Sequence, residues 1–460
     1  MRHKQPLLYI LWDHSEIWGL IAARAARTMA LPCRLVTARD LAGGALERER
    51  PSLLLVPGGN ARLKAESLGR AGLEALRAYV AGGGRYLGFC GGAGLALSWG
   101  TEADCAGLGL CPVERGNFDE RLQHFMSGHL HVCLPGRGGK AAALVPEQLP
   151  PAPCLPVWWP GRFAETARSS VEVLASYEVP AQDFWLADLP IAALPGGIFT
   201  DWNNVYGLAL NPAFLTGQPC MLYGEYGRGA YVLSYSHLET PDSPQANAWL
   251  AHLFRVLGGL EPGLEQLPPW RCFAPASWSS PASAASLANP PGLTGPGCSE
   301  GPDRPVWSVW PLWEDEDLGQ LAALLGQALQ TGLNHGLLFH RTDWLLGWRY
   351  GLPGASLNNL RAALNAIGES EPTNAARRFW REQRRDTRAA MEVFAGGCVQ
   401  YLLAERLSMT LSKALPEALP ASMLKDQREA LFGPPMRAGG LYRDLLRVLD
   451  ELARLQLETI

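Results

Sequence analysis

The first hundred residues alternate short apolar runs with longer amphipathic stretches. Apolar runs bounded by turn residues predict β-strands, whereas apolar residues spaced three or four positions apart predict α-helices. The pattern predicts strands at 7–12, 33–37, 52–56 and 85–89, and helices at 17–29 and 65–81. Strands that alternate with helices of this length are typical of parallel β-α-β units. We therefore predict an α/β domain with a mainly parallel sheet flanked by helices.

The regular pattern loosens between residues 101 and 205 and then returns. The loose region has short apolar runs separated by proline and glycine, which predict additional strands and insertions. A predicted strand at 229–236 and a predicted helix at 243–257 follow, and Gly258 ends the helix. The α/β domain is therefore predicted to span residues 1–260.

A change of composition separates this domain from the C-terminal part of the chain. Residues 261–311 contain eleven prolines among 51 positions, which is typical of a linker. The residues after it have few strand signals and show helical spacing at 317–333, 356–367, 375–411 and 440–457. We predict a second, α-helical domain over 312–460.

The composition of the 460-residue chain excludes several classes of protein. With 47% hydrophobic residues and a formal net charge of −4, it can form a large core and lacks the charge excess that drives binding to nucleic acid or anionic membranes. No apolar run is long enough to span a membrane, and the first one, at 6–12, is too short for a signal peptide. The ten cysteines are scattered without a CxxC pair, which indicates free thiols in a reducing cytoplasm. We predict a cytoplasmic protein with no nucleic-acid or membrane partner.

Cys90 stands where a predicted strand gives way to a helix, within the run YLGFCGGAG at 86–94. Glycines on both sides allow a tight turn, so that the side chain projects above the sheet as in a nucleophile elbow. The N-terminus of the following helix favours a negatively charged sulfur. Cys90 is therefore the candidate nucleophile.

A second glycine pair, Gly58 and Gly59, follows the preceding predicted strand. Since parallel strands bring their carboxyl ends to one edge of a sheet, the two glycine loops should meet there. The backbone amides of Gly59 and Gly91 are candidate donors to the oxyanion that forms when Cys90 attacks a carbonyl.

A cysteine nucleophile needs a base, and the base needs a group that orients it. The predicted strand at 229–236 runs into His237 and Glu239, two residues apart. That spacing can place the carboxylate against one imidazole nitrogen while the other nitrogen faces the thiol. Cys90, His237 and Glu239 form the candidate catalytic triad.

These motifs resemble those of the class I glutamine amidotransferase-like superfamily, whose fold is flavodoxin-like. The loop at 57–59 is similar to its oxyanion loop, the segment 88–92 to its cysteine elbow and the segment 237–239 to its His-Pro-Glu ending. Within the superfamily, residues 53–92 look most like the N-terminal-type domain of biotin-protein ligases, which also occurs in bacterial proteins without a ligase. The resemblance covers about residues 5–260 and implies a Cys-His-Glu site for amide or related acyl groups.

Two departures narrow the activity that the resemblance implies. Glutamine-hydrolysing members usually carry a glutamine shortly after the second glycine of the elbow, whereas Gly92 is followed by Ala93, Gly94 and Leu95. The chain also lacks the Gly-Arg-Gly-Arg stretch of the ligase. We therefore expect neither a typical glutaminase nor a biotin ligase. Leu238 replaces the proline of the His-Pro-Glu ending but keeps its spacing.

Further residues are candidates for substrate binding around the triad. Some superfamily members place a glutamate after the first strand that hydrogen-bonds to the sulfur, a role open to Asp13 or Glu16. An interpretation of these two residues as caps of the following helix is favoured. Gly58, Asn60 and Gly92, in the two glycine loops, complete the set.

Three other patterns have simpler interpretations. His129, His131 and Cys133 alternate on one strand face, but without a fourth ligand an ordinary strand is favoured over a zinc site. The arginines at 377–388 are interpreted as a solvated helix face, and the tryptophans near 158 as packing anchors. No metal site is predicted.

The resulting hypothesis is a cysteine-dependent hydrolase or amidotransferase that needs no metal or organic cofactor. Its partner is a small-molecule or acyl substrate, and the helical domain is left open to a protein partner. The alternative is a noncatalytic small-molecule-binding or regulatory module that retains the triad geometry. A link to biotin metabolism rests on the family resemblance alone.

Overall fold

The computed structural model describes residues 6–99, 106–118, 125–135, 139–164, 171–272, 312–349, 353–412, 414–415, 421–434 and 439–458. The chain divides into two compact units between Trp270 and Arg271. Residues 261–270 of the predicted linker therefore belong to the first unit, and residues 273–311 lie outside the described residues.

The first unit contains strands and helices in the order that the sequence predicts for its first hundred residues. Its strands are β1 (Leu8–Leu11), β2 (Cys33–Val36), β3 (Leu53–Val56), β4 (Arg85–Phe89), β5 (Arg115–Gly116), β6 (Met126–Cys133), β7 (Cys154–Trp158), β8 (Arg162–Phe163), β9 (Val171–Pro180), β10 (Trp185–Leu186), β11 (Leu189–Pro190), β12 (Pro219–Tyr226) and β13 (Gly229–Ser234). Its α-helices are α1 (Glu16–Thr28), α2 (Ala38–Ala42), α3 (Ala45–Glu49), α4 (Ala61–Ala81), α5 (Gly91–Ala96), α6 (Ile198–Tyr206) and α7 (Pro244–Val256).

Eleven of these strands form one mixed sheet in the order β11-β10-β6-β9-β12-β13-β4-β3-β1-β2, with β7 paired to β6. From β2 to β13 all neighbours are parallel, whereas the strands beyond β13 pair antiparallel. The predicted fold class, an α/β domain with a parallel sheet flanked by helices, is confirmed. The loose pattern between residues 101 and 205 corresponds to most of the antiparallel extension.

The parallel strands are buried, as continuous apolar runs require. Every residue of β1 and β3 is buried. Tyr9, Leu54 and Tyr86 face the same side of the sheet and pack in one core with Leu73 and Leu76 of α4. Because β1, β3, β4 and β13 run in the same direction side by side, the loops that follow them meet at one edge of the sheet.

The second unit is mainly helical. It contains α8 (Glu316–Asn334), α9 (Pro353–Gly368), α10 (Asn374–Leu411), α11 (Ala421–Phe432) and α12 (Gly440–Leu457), with a hairpin of β14 (Leu338–His340) and β15 (Leu346–Trp348). Four of the helices lie where the sequence predicts them; α11 and the hairpin are not predicted. The buried residues of α11 are Leu431 and Phe432, both at its end, so it has little amphipathic pattern to detect. Among the described helices, none is long and apolar enough to cross a membrane.

Candidate active site

Cys90 forms the elbow between β4 and α5. Its backbone has φ +46° and ψ −104°, a conformation that residues other than glycine rarely adopt and that is concentrated at functional sites. The Cys90 amide donates to the Ser234 carbonyl at 2.7 Å, and the Cys90 carbonyl accepts from the Gly94 amide at 2.8 Å. The elbow is thus fixed to β13 and to α5, while the cysteine remains only half-buried.

Gly59 and Gly91 bring the two glycine loops into direct backbone contact. A Cβ atom on Gly91 would lie 1.9 Å from the carbonyl oxygen of Gly59 and 3.2 Å from its amide nitrogen. Gly59 has φ +104°, and a Cβ atom there would lie 2.0 Å from the carbonyl oxygen of His14. Only glycine permits this approach of three loops. Neither glycine amide donates a hydrogen bond within the described part of the chain, so both can serve an oxyanion.

His237 and Glu239 form a fully buried pair at the end of β13. Both side chains are 0% exposed, and Nδ1 of His237 lies 2.8 Å from Oε1 of Glu239. The other atoms of the pair, Nε2 of His237 and Oε2 of Glu239, have no hydrogen-bond partner among the described residues. Buried polar atoms without partners are rare and call for a functional explanation.

The His237 imidazole has a raised pKa. Burial by itself lowers the pKa, but the charge of Glu239 and the neighbouring Cys90 thiol outweigh burial and raise the pKa from 6.5 to about 9. Cys90 and His237 follow neighbouring parallel strands, since Phe89 pairs with Ser234 and the Cys90 amide donates to the Ser234 carbonyl. No hydrogen bond joins Nε2 of His237 to the thiol in the described residues. Catalytic hydrogen bonds are often long before substrate binds. The structure therefore brings all three predicted triad residues together.

The predicted pocket residues Asp13 and Asn60 hold loops in place. Oδ2 of Asp13 accepts a hydrogen bond from the Ala38 amide at 2.7 Å, so Asp13 supports the start of α2 rather than that of α1. Oδ1 of Asn60 accepts from two amides in the first turn of α4, at 3.0 and 3.2 Å, as a helix cap. Glu16 is the first residue of α1 and has φ +52°.

The predicted pocket residues Gly58 and Gly92 allow close packing around the triad. A Cβ atom on Gly92 would lie 1.9 Å from the carbonyl oxygen of Val56, at the end of β3. A Cβ atom on Gly58 would lie 2.8 Å from Cε1 of His237 and 2.8 Å from Cγ of Trp18. A larger residue at Gly58 would therefore press on the candidate base itself.

Trp18 covers His237, a placement that sequence reasoning missed. The two rings have centroids 4.0 Å apart and planes inclined at 33°. Trp158 stacks on Trp18 with ring centroids 6.5 Å apart. In the sequence Trp18 is one apolar residue of an amphipathic helix, with no signal that separates it from core residues. Together Trp18 and Trp158 give the site an aromatic wall.

Lys64 is a second residue that the sequence did not reveal. It is 0% exposed, and its Nζ donates to the carbonyl of Asp13 at 3.0 Å and to the hydroxyl of Ser15. The hydroxyl of Ser15 donates in turn to the Leu11 carbonyl at 2.9 Å. Lys64 thus ties α4, which follows the loop of Gly58 and Gly59, to the loop after β1.

Among the described residues, no group of three histidine, cysteine or acidic side chains could hold a metal ion. Along β6, His131 Nδ1 lies 3.1 Å from the Ala152 carbonyl and Cys133 is exposed. The eight described cysteines are free thiols; Cys105 and Cys298 lie outside the described residues.

Comparison with known families supports part of the predicted resemblance. Residues 35–98 match the family described as biotin-protein ligase, N terminal. The matched segment runs from β2 to the end of α5 and contains Gly59, Cys90 and Gly91, but it does not reach His237 or Glu239. No curated protein sequence matches the chain.

Several solved structures are similar to the first part of the chain. One is a protein described as a GMP synthase component from Thermoplasma acidophilum, with 12% identity and a TM-score of 0.35, covering 56% of this chain and 96% of that one. Another is PurLQS from Thermotoga maritima, with 10% identity and a TM-score of 0.31, covering 51% of this chain and 88% of that one. A β-galactosidase from Bacillus circulans sp. alkalophilus has 10% identity and a TM-score of 0.32, and the match covers 56% of this chain and 32% of the β-galactosidase chain. These likenesses are distant.

Proposed function

We propose that the first unit is a cysteine-dependent hydrolase or amidotransferase acting on an amide or related acyl substrate. The observation that carries the proposal is the juxtaposition of a strained, half-exposed Cys90 with the buried His237–Glu239 pair, whose Nε2 has no partner among the described residues. A nucleophile next to a base that a third group orients is the signature of covalent catalysis.

The geometry supports a two-step reaction. His237 takes the thiol proton and, because its pKa is raised, holds that proton as an imidazolium at neutral pH. The Cys90 sulfur attacks the acyl carbon, whose carbonyl oxygen becomes an oxyanion next to the amides of Gly59 and Gly91. The imidazolium then gives its proton to the leaving amine or alcohol, and the bond to the leaving group breaks to form a thioester. In the second step the neutral His237 accepts a proton from water or an acceptor amine, which attacks the thioester. The carbon–sulfur bond breaks, and Cys90 leaves as a thiolate next to the imidazolium, which restores the starting proton count.

The residues after the elbow argue against two more specific activities. Ala93, Gly94 and Leu95 occupy the stretch where glutamine-hydrolysing relatives usually have a glutamine side chain. The family match covers an N-terminal ligase region rather than a ligase signature. The proposed acyl-transfer site is therefore neither that of a typical glutaminase nor that of a biotin ligase.

Selective alkylation tests the activation of Cys90. Full-length protein is treated with limiting iodoacetamide at neutral pH, and the labelling rates of Cys90 and Cys133 are measured by mass spectrometry of their peptides. Cys133 is the more exposed thiol and serves as an internal reference. We expect Cys90 to react faster than Cys133, and His237→Ala to slow Cys90 without changing Cys133. Equal rates for Cys90 in both proteins, at the level of Cys133, would overturn the proposal.

One observation favours a noncatalytic binding module as the second candidate. His237 and Glu239 have no exposed surface, and Trp18 covers the imidazole, so the base is shielded from solvent. Thermal shift with a panel of small carboxylic acids and primary amides, on wild type and Cys90→Ser, separates the two functions. A compound that stabilises both proteins and stays unconverted supports the binding module, whereas product formed by wild type alone excludes it.

A further inference from the structure

A second polar cluster in the first unit joins three distant parts of the chain. Nδ1 of His129, on β6, lies 2.6 Å from Oδ2 of Asp183, which follows β9. Nε2 of the same ring lies 2.8 Å from the hydroxyl of Ser243, directly before α7. The other carboxylate oxygen of Asp183 accepts a hydrogen bond from the His129 amide at 3.1 Å. One carboxylate thus fixes both the backbone and the ring of His129.

Asp183, His129 and Ser243 are linked in the same order as the acid, histidine and serine of a serine hydrolase. Unlike the serine of a hydrolase, however, Ser243 is buried. Ser243 is 2% exposed, so an acyl carbon cannot approach its oxygen. Ser243 therefore cannot act as a nucleophile, although the hydrogen-bond chain resembles that of a catalytic triad. The chain Asp183–His129–Ser243 is called the His129 relay below.

Ser243 precedes α7 but does not cap the helix with its side chain. It is the N-cap residue of α7, yet its hydroxyl accepts no hydrogen bond from the helix amides. A serine cap normally stabilises its helix by accepting such a bond. Here the hydroxyl lies 2.8 Å from Nε2 of His129 and 3.5 Å from the Pro241 carbonyl oxygen. The shorter contact links the start of α7 to β6.

The residues between β13 and α7, 235–243, carry His237 and Glu239 and are called the triad loop below. The start of the triad loop is held by β7, because the His237 amide donates to the Pro156 carbonyl at 2.9 Å. Pro156 is the residue opposite His129 in the β6–β7 pairing. The end of the triad loop is held by His129 through Ser243. Both ends are therefore fastened to the same place on the antiparallel extension.

We propose that His129, Asp183 and Ser243 are positioning residues that hold the triad loop so that His237 faces Cys90. The part of this proposal that concerns Cys90 rests on the proposed function. Other contacts act on the middle of the loop. Trp158 Nε1 donates to Thr240 Oγ1 at 3.2 Å, and Asn247 Nδ2 donates to the Leu238 and Thr240 carbonyls at 2.9 and 2.8 Å. At the C-terminal end of the loop, the Asp242 amide donates to the Leu267 carbonyl at 3.0 Å, and the His129–Ser243 bond ties the last residue of the loop to β6.

Hydrogen exchange tests the relay without reference to any activity. Full-length wild type, His129→Ala, Ser243→Ala and the double variant are compared by mass spectrometry. We expect amides in 235–247 to exchange about tenfold faster in each single variant, the effect of losing one buried hydrogen bond. The double variant should exchange no faster than either single variant, because both remove the same link.

His131→Ala is the matched control, since His131 lies two residues along the same strand and contacts the Ala152 carbonyl instead. It should leave exchange in 235–247 at the wild-type rate. Asp183→Asn changes a half-exposed residue and replaces His129→Ala if that variant does not fold. Wild-type exchange in the variants, or effects that multiply in the double variant, would overturn the relay.

The pH profile of Cys90 alkylation tests what the relay positions. We expect His129→Ala to move the profile toward that of His237→Ala and to slow Cys90 several-fold at neutral pH, with His131→Ala unchanged. If wild type already behaves like His237→Ala, the proposed function fails while the exchange experiment still decides the relay. If exchange rises but the alkylation profile does not move, the positioning role is wrong.

Discussion

Replacing Glu239 with glutamine should lower the pKa of His237. Glutamine has nearly the same shape and can still accept a hydrogen bond from Nδ1, but it carries no charge. The pKa of His237 is about 9 because the Glu239 charge and the Cys90 thiol outweigh the opposing effect of burial. Once the charge is removed, burial dominates in this fully buried site, and the pKa should fall to about 6.5 or lower. The loss corresponds to roughly 3 kcal/mol of preferential stabilisation of the imidazolium.

The measurement is an NMR titration of full-length protein labelled in its nine histidines. The His237 signal is assigned from its absence in His237→Gln, and Cys90→Ser is titrated alongside to isolate the contribution of the thiol. Wild-type His237 should titrate near pH 9 and the Glu239→Gln variant at about 6.5 or below. An ordinary midpoint in wild type, or the same midpoint in both proteins, would refute the account of the buried pair.

Three further predictions concern the residues that support the site. Because the folded pKa of His237 lies above its unfolded value, its stabilisation is complete below about pH 6.5 and is lost as pH rises through about 9. The difference in urea stability between wild type and His237→Gln should shrink by up to about 3 kcal/mol across that window, and a constant difference would contradict this. Gly91→Ala should abolish the fast alkylation of Cys90 and lower the free energy of unfolding by about 2 kcal/mol, because the added methyl group would clash with the Gly59 carbonyl. Alkylation of Cys90 at the wild-type rate in this variant would show that the two glycine loops do not pack closely. Lys64→Met should lower the free energy of unfolding by about 2 kcal/mol, because it removes the hydrogen bonds to Asp13 and Ser15. Lys140→Met, at an exposed lysine, is the control. Equal stability of the two variants would contradict a stabilising role of the buried Lys64 contacts.

The sequence could predict the groups whose chemistry depends on local pattern. A strand running into glycines marks Cys90, and a two-residue spacing after a strand brings His237 and Glu239 together without any long-range information. The meeting of Gly59 with Gly91 follows from the rule that parallel strands present their carboxyl ends at one edge. Each of these predictions needs only the order of elements and the direction of strands.

The remaining site residues depend on contacts that no local pattern records. Trp18 reaches His237 across more than two hundred positions, and the His129–Ser243 bond joins residues 114 positions apart. Lys64 resembles a surface lysine of an amphipathic helix, yet the loop after β1 buries it. The sequence favours Asp13 as a cap of the helix that follows it, whereas its carboxylate accepts a hydrogen bond from the Ala38 amide at the start of α2. Contacts of this kind exist only after distant parts of the chain have come together at the edge of the sheet.

The central claim, that Cys90 is a nucleophile activated by His237, is tested most directly by trapping an acyl group on its sulfur. Full-length wild type, Cys90→Ser and His237→Ala are each exposed briefly to p-nitrophenyl acetate at neutral pH, and the Cys90 peptide is examined by mass spectrometry. We predict one acetyl group on Cys90 of wild type that hydroxylamine removes, far slower acetylation in His237→Ala and none at position 90 in Cys90→Ser. Acetylation of Cys90 that is no faster than that of Cys133, or that does not change in His237→Ala, would contradict the claim.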